Sequence, residues 1–352
     1  MNAITTSAAD ARNPMAPPHA THKFGLLLRR EFWEHKGGFL WAPIWAGGIS
    51  LLLTAMAGIT GEVMLRRARD AGAGLNVNGT HMSVNGLDLG MLTSKLSPED
   101  MRQLGGAVDA SLMISSLWPF IAMTFVVFFY CLGALYDERK DRSVLFWKSL
   151  PISDRETVLS KLASATVIAP VIASLAALVT MFGFLLLASL LVLTHGGNPM
   201  QMLWGPGHPL SIAAQFIAAI PIYALWSLPT VGWLLLCSAW ARSKPFLWAL
   251  MIPAFAGIFV SWFDLMNVFN LESSWFWKNI VARMLVSIVP GTWFNVADFH
   301  TVNVDGPAAM TRLLDLQTLY SVLLSPQLWI GALAGAAMIV AAIRLRRWRD
   351  EG

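Results

Sequence analysis

Charge is what this chain has least of. Only 13% of its 352 residues are Asp, Glu, Lys or Arg, about half the share of an ordinary water-soluble domain. Cysteine is almost missing as well. Cys131 and Cys237 both sit inside apolar runs, which excludes a disulfide framework or a cysteine metal site and marks them as small buried hydrophobes. No lysine follows a glycine anywhere, so the phosphate-cradling GxxxxGK loop is absent and the chain is not expected to be an enzyme. The histidines (His19, His22, His35, His81, His195, His208, His300) show no HExxH and no ligand spacing. His195 and His208 flank a short proline-containing loop, but neither a metal nor another cofactor is expected. Residues 1–21 are small and polar, without the basic, apolar, small-residue order of a cleavable leader, and read as a disordered tail.

What the chain has instead is apolar length. Hydrophobic residues make up 56% of it, and runs long enough to cross about 30 Å of hydrocarbon recur. The expected fold class is all-α: a polytopic membrane protein whose membrane domain fills residues 22–352. Six spans are placed at 39–61, 112–136, 162–193, 211–241, 245–263 and 328–343. Pro170 in the third and Pro221 and Pro229 in the fourth predict kinks. None of the six stretches contains an ionisable residue. That argues against a proton-coupled transporter and against an intramembrane hydrolase, both of which need such groups in the membrane.

Orientation follows from the bases. With both termini inside, the inner segments hold 17 Lys and Arg in 75 residues and the outer segments 8 in 131, the bias expected of cytoplasmic termini. The formal charge of +4 therefore reflects bases beside spans, and no nucleic-acid partner is expected. His22–Lys36 places Phe24, Leu27, Leu28 and Phe32 at helical spacing, the pattern of a helix lying at the bilayer surface. On the outer side, residues 62–111 are turn-rich. Trp275–Val289 is apolar with Lys278 and Arg283 interposed, and reads as an interfacial or re-entrant helix before the last span. Gly331 and Gly335 form a GxxxG face for helix packing. Most of the sixteen tryptophans lie near span ends, as interface anchors do.

Between the second and third spans lies a charged island, Asp137 to Glu156, with Val144, Leu145, Phe146, Trp147 and then Leu150 in its middle. A helix over 138–150 would stop at Pro151. Ser153 and Glu156 then form a capping box that opens the third span. One reading is an ordinary juxtamembrane loop whose aromatics rest in the lipid interface. The other is a surface helix that docks in a groove of a partner.

The order Glu138-Arg139, Ser143, the apolar run, Leu150-Pro151-Ile152-Ser153, Glu156 and Lys161 resembles the first cytoplasmic loop of type-2 ABC-transporter permeases, over about 25 residues. Ser143 departs from the glycine frequent there. The resemblance implies a coupling helix in which Val144, Leu145, Phe146 and Trp147 contact a separate ATP-binding subunit. Glu138 and Arg139 would then form its polar edge, and Pro151 with the Ser153–Glu156 cap would set its angle to the third span. It further implies a second permease copy or paralogue beside this chain in the lipid bilayer, export of a substrate, and a bacterial inner membrane. The alternative is a membrane anchor or assembly protein that holds a soluble partner through the same helix without transport.

Overall fold

Long apolar helices dominate the computed structural model, which describes residues 20–70, 74–77, 80–83, 97–142, 152–266, 272–295 and 316–348. Six of them are long and apolar enough to cross a membrane: Gly37–Ala68, Pro98–Lys140, Asp154–Thr194, Pro209–Trp226, Pro245–Leu265 and Pro326–Trp348. The protein is an all-α polytopic membrane protein. Its one extended element among the described residues is a small hairpin, Gly74–Val77 paired antiparallel with Thr80–Ser83.

The helices outrun the hydrocarbon. The one at Pro98–Gly133 has 36 residues, about 54 Å at 1.5 Å per residue, and the first span continues helically to Asp70. Both therefore extend into the segment that sequence reads as turn-rich loop. Ser97 starts the second span with its own capping box, accepting from the Asp100 amide while the Asp100 carboxylate accepts from the Ser97 amide. The fourth span divides at Ser227 into Pro209–Trp226 and Leu228–Trp240. Pro229, lacking an amide hydrogen, accounts for the break, whereas Pro221 sits inside an unbroken helix. Pro170 follows a π-helical turn, Ser164–Ile168.

The span ends show how the chain threads. The helix Ala20–Glu34, the end of the second span, the start of the third and the end of the sixth meet through ion pairs joining Glu31, Lys161, Glu138, Arg346 and Asp154. The end of the fourth joins them, its Ser238 hydroxyl accepting from the Leu135 and Tyr136 amides. Both ends of the described chain therefore lie at one end of the bundle, as six crossings require.

Beyond the fifth span the chain turns back as Ser273–Phe276, a π turn Trp277–Val281 and Ala282–Val286. These 14 residues span about 21 Å, too short to cross. The Thr230 hydroxyl donates to the Arg283 carbonyl at 2.9 Å and accepts from the Ser287 amide at 3.0 Å. The segment therefore does not cross and packs against the break in the fourth span, as the interfacial or re-entrant helix expected from its sequence would.

Small residues set the closest helix crossing. A Cβ on Gly335 would overlap the Leu228 carbonyl, and one on Gly232 would fall 2.6 Å from the Gly335 oxygen. Leu228–Trp240 packs along the sixth span there. Cys131 and Cys237 are free and fully buried in the core. Outside, Leu52, Ile59, Val179, Leu190, Phe259 and Ile330 are all more than half exposed, an apolar belt suited to lipid. Trp33, Trp41, Trp118, Trp240, Trp275, Trp329 and Trp348 are also exposed, while Trp226 and Trp293 are buried.

Candidate functional site

The charged island begins where the second span runs out of apolar residues. Its first part is the short helix Tyr136–Lys140, which stops at Asp141. Arg142 has a left-handed backbone with φ of 56°, a conformation that breaks a right-handed helix. A helix running unbroken from Glu138 into the apolar run, as sequence suggests, is therefore interrupted here. Ser143, Val144, Leu145, Phe146, Trp147, Leu150 and Pro151 lie outside the described residues. The chain resumes at the predicted capping box. The Glu156 amide donates to the Ser153 hydroxyl at 3.2 Å, and the Glu156 carboxylate accepts from the Ser153 amide at 2.9 Å.

Both roots of the island are tied into the bundle by charge. Lys161 Nζ lies 2.9 Å from Glu31 Oε1 and 3.0 Å from Glu138 Oε1. Arg346 Nη1 pairs with Glu138 Oε2, and its Nε lies 3.1 Å from Asp154 Oδ1. Tyr130 donates its hydroxyl to Glu31 Oε2 at 2.8 Å, and the His35 ring stands edge-on to the Tyr130 ring. Acids and bases alternate along this chain. Glu31, Glu138, Lys161 and Arg346 are all buried, so each charge depends on its neighbours rather than on water.

These positions follow from helix geometry. Glu31 is four residues beyond the buried Leu27, on the stripe of the first helix that faces the start of the third span. Lys161 lies two turns beyond the Ser153 cap, and Arg346 is on the buried face of the sixth span with Ala342 and Ile339. Arg139 turns toward the fourth span, donating Nη2 to the Ser238 and Ala241 carbonyls at 2.6 and 2.9 Å. A cation there neutralises the negative end of that helix. Glu138 and Arg139, expected to form the polar edge of a coupling helix, are both engaged within the bundle.

The chain matches no protein-family model, and no curated protein or solved structure matches it. The site must be read from its own geometry. Mechanically, the network joins the two roots of one loop to the N-terminal helix and to the ends of the second, third and sixth spans.

The remaining candidates form simpler contacts. His208 donates its backbone amide to Asp109 Oδ1 at 2.7 Å, with its ring Nδ1 3.0 Å from Oδ2. His195 Nε2 lies 3.0 Å from Glu62 Oε2. Among the described residues no three His, Cys, Asp or Glu come together as a metal site. Gly335 packs helices as expected, and a Cβ on Gly331 would meet both the Arg283 guanidinium and Pro229 of the fourth span. A cavity of about 120 Å³ opens between the second, third and fourth spans and the turn at Pro290–Phe294 that follows the re-entrant segment. Gln215 Oε1, Tyr223 OH and Trp293 Nε1, all on residues lining it, have no hydrogen-bond partner among the described residues.

Proposed function

We propose that this chain is the membrane-spanning subunit of an ATP-driven ABC exporter, energised by a separate ATP-binding subunit that docks on the loop between the second and third spans. The observation that carries the reading is the anchoring of that loop. Glu138 at one root and Asp154 with Lys161 at the other belong to one buried ionic chain. An ordinary lipid-resting loop has no use for such anchoring. A loop that must pass a partner's movement to several spans requires it, because slack at the root would absorb the movement. The resemblance of residues 138–161 to a type-2 permease coupling loop points the same way. So does the absence of a phosphate loop from a body whose six predicted spans hold no ionisable group.

On this reading Val144, Leu145, Phe146 and Trp147 fill a groove of the ATP-binding subunit, and the buried ionic chain is the rigid base behind them. A buried aromatic anchor of this kind is worth about 2 kcal/mol, or roughly thirtyfold in affinity. The test is purification of the full chain from its native membrane with its ATPase. Changing Leu145 and Trp147 together to alanine should release the ATPase and abolish transport while the membrane level stays normal. A double variant that still co-purifies with its ATPase and transports refutes the docking surface. Loss of the ATPase partner without any substrate movement by the wild type would favour the anchor reading instead.

A further inference from the structure

The re-entrant segment carries a cation, Arg283, that no acid among the described residues pairs with. The guanidinium carbon of Arg283 lies 3.6 Å from the ring centroid of the buried Trp226. Among the described residues its hydrogen bonds go to neutral oxygens: the Trp226 carbonyl at 3.5 Å, the Ser287 hydroxyl at 3.2 Å and the Gln327 carbonyl at 3.4 Å. All three are at the long end of the range for such bonds. Burial lowers the Arg283 pKa to about 10, so the side chain is still charged at neutral pH. Of the acids that precede it most closely in sequence, Glu272 is exposed at the start of the same segment, and Asp264 accepts from the Ser273 amide there.

The guanidinium has a seat made for it. A Cβ on Gly331 would overlap Nη2 of Arg283, so a glycine at that turn of the sixth span is what admits the charge. Beside it opens a cavity of about 150 Å³, lined by Lys278, Asn279, Arg283, Ser287 and Gln327 among others, with no carboxylate among its lining residues. Two basic residues therefore line one cleft, whose other walls include the apolar Trp226, Ala282 and Val286. A partly desolvated cation without a counter-ion is unfavourable, and arginine's fork of donors fits two oxygens of one oxyanion. Around the cleft, Trp275 and Trp329 are exposed, as aromatic side chains at the headgroup level of a bilayer are.

We propose that this cleft, at the end of the bundle opposite the chain termini, is an anion site for a phosphate-class oxyanion, with Arg283 and Lys278 as its ligating cations. The position beside lipid-facing tryptophans favours the phosphate of an anionic phospholipid over a soluble ion. The site is independent of how the loop at the other end is used. Its test uses the purified full chain in neutral detergent, melted with added phosphatidylglycerol, phosphatidylcholine or inorganic phosphate. Phosphatidylglycerol should raise the melting temperature more than phosphatidylcholine does. Arg283→Gln should remove that response, and Lys278→Gln should weaken the apparent affinity about tenfold. Lys278 is exposed, so its variant folds even where Arg283→Gln does not. Equal stabilisation by inorganic phosphate, lost in the same variants, keeps the anion site and gives it a soluble ligand. Equal responses to both lipids, or an unchanged response in Lys278→Gln, overturns the proposal.

Discussion

Replacing Lys161 with methionine tests whether the ionic chain is the keystone of the bundle's termini end. The substitution keeps the length of the side chain and removes its charge. Glu31 then loses the lysine 2.9 Å away and keeps only the Tyr130 hydroxyl and a histidine ring nitrogen 4.0 Å distant. Glu138 keeps Arg346. Removing one partner of a buried ion pair costs about 3–5 kcal/mol. The expected loss is therefore about 3–5 kcal/mol, read by titrating the protein out of mixed micelles with a denaturing detergent. Adding Glu31→Gln to Lys161→Met removes the stranded charge and should recover about 2 kcal/mol of the loss. A Lys161→Met protein as stable as wild type, or a double variant weakened by the sum of its parts, refutes the keystone role.

Two further outcomes are expected. Gly335→Ala should lower the yield of monodisperse protein at a cost of about 1–3 kcal/mol, because its methyl would meet the Leu228 backbone, whereas Gly58→Ala meets open space and should be neutral. With six crossings and the inward bias of the bases, a cysteine replacing Gly352 should resist an impermeant thiol reagent in intact cells, while one replacing Asp305 should react. Labelling at residue 352 from outside overturns that orientation.

The spans were legible because each run of apolar residues exceeds what a buried soluble helix needs, and the lipid-facing side is apolar as well. Their ends were not. Hydropathy marks where a helix leaves hydrocarbon, so Pro98–Ser111 and Glu62–Asp70 read as loop although they continue the second and first spans. The Ser153–Glu156 and Ser97–Asp100 boxes are different cases of one local signal. The first was read because an apolar run follows it, and the second was passed over because Arg102 and Asp109 interrupt its run. The break at Pro229 and the re-entrant excursion were foreseen from residues within the same segments.

The ionic chain was missed because its partners are far apart in sequence, by 130 residues for Glu31 and Lys161 and 208 for Glu138 and Arg346. One clue existed. Glu31 falls on the stripe of Leu27, the buried face of the first helix, and an acid on such a face calls for a cation. Gly331 shows the opposite limit. A small residue on a span face can admit another helix, as Gly335 does, or a charged side chain, and spacing does not distinguish them.

The two ends of the bundle are built on different principles. At the termini end, full charges alternate over short distances, so the elements they join resist sliding past one another. Directly beyond them, the first and third spans each leave regular α-helix for a π-helical turn, at Gly37–Trp41 and Ser164–Ile168. The fourth span breaks at Ser227. Such turns and proline breaks loosen the regular hydrogen-bond ladder and are where helices bend. At the far end, the contacts between the re-entrant segment and the fourth and sixth spans are neutral hydrogen bonds and the Arg283 guanidinium stacked on Trp226. On the transport reading, a base held together by ion pairs, followed by irregular turns in three spans, would convert a push on one loop into rearrangement at the other side of the membrane. The same base followed by regular helices would only translate the whole bundle. The helix irregularities therefore matter to the transport reading as much as the ionic chain does.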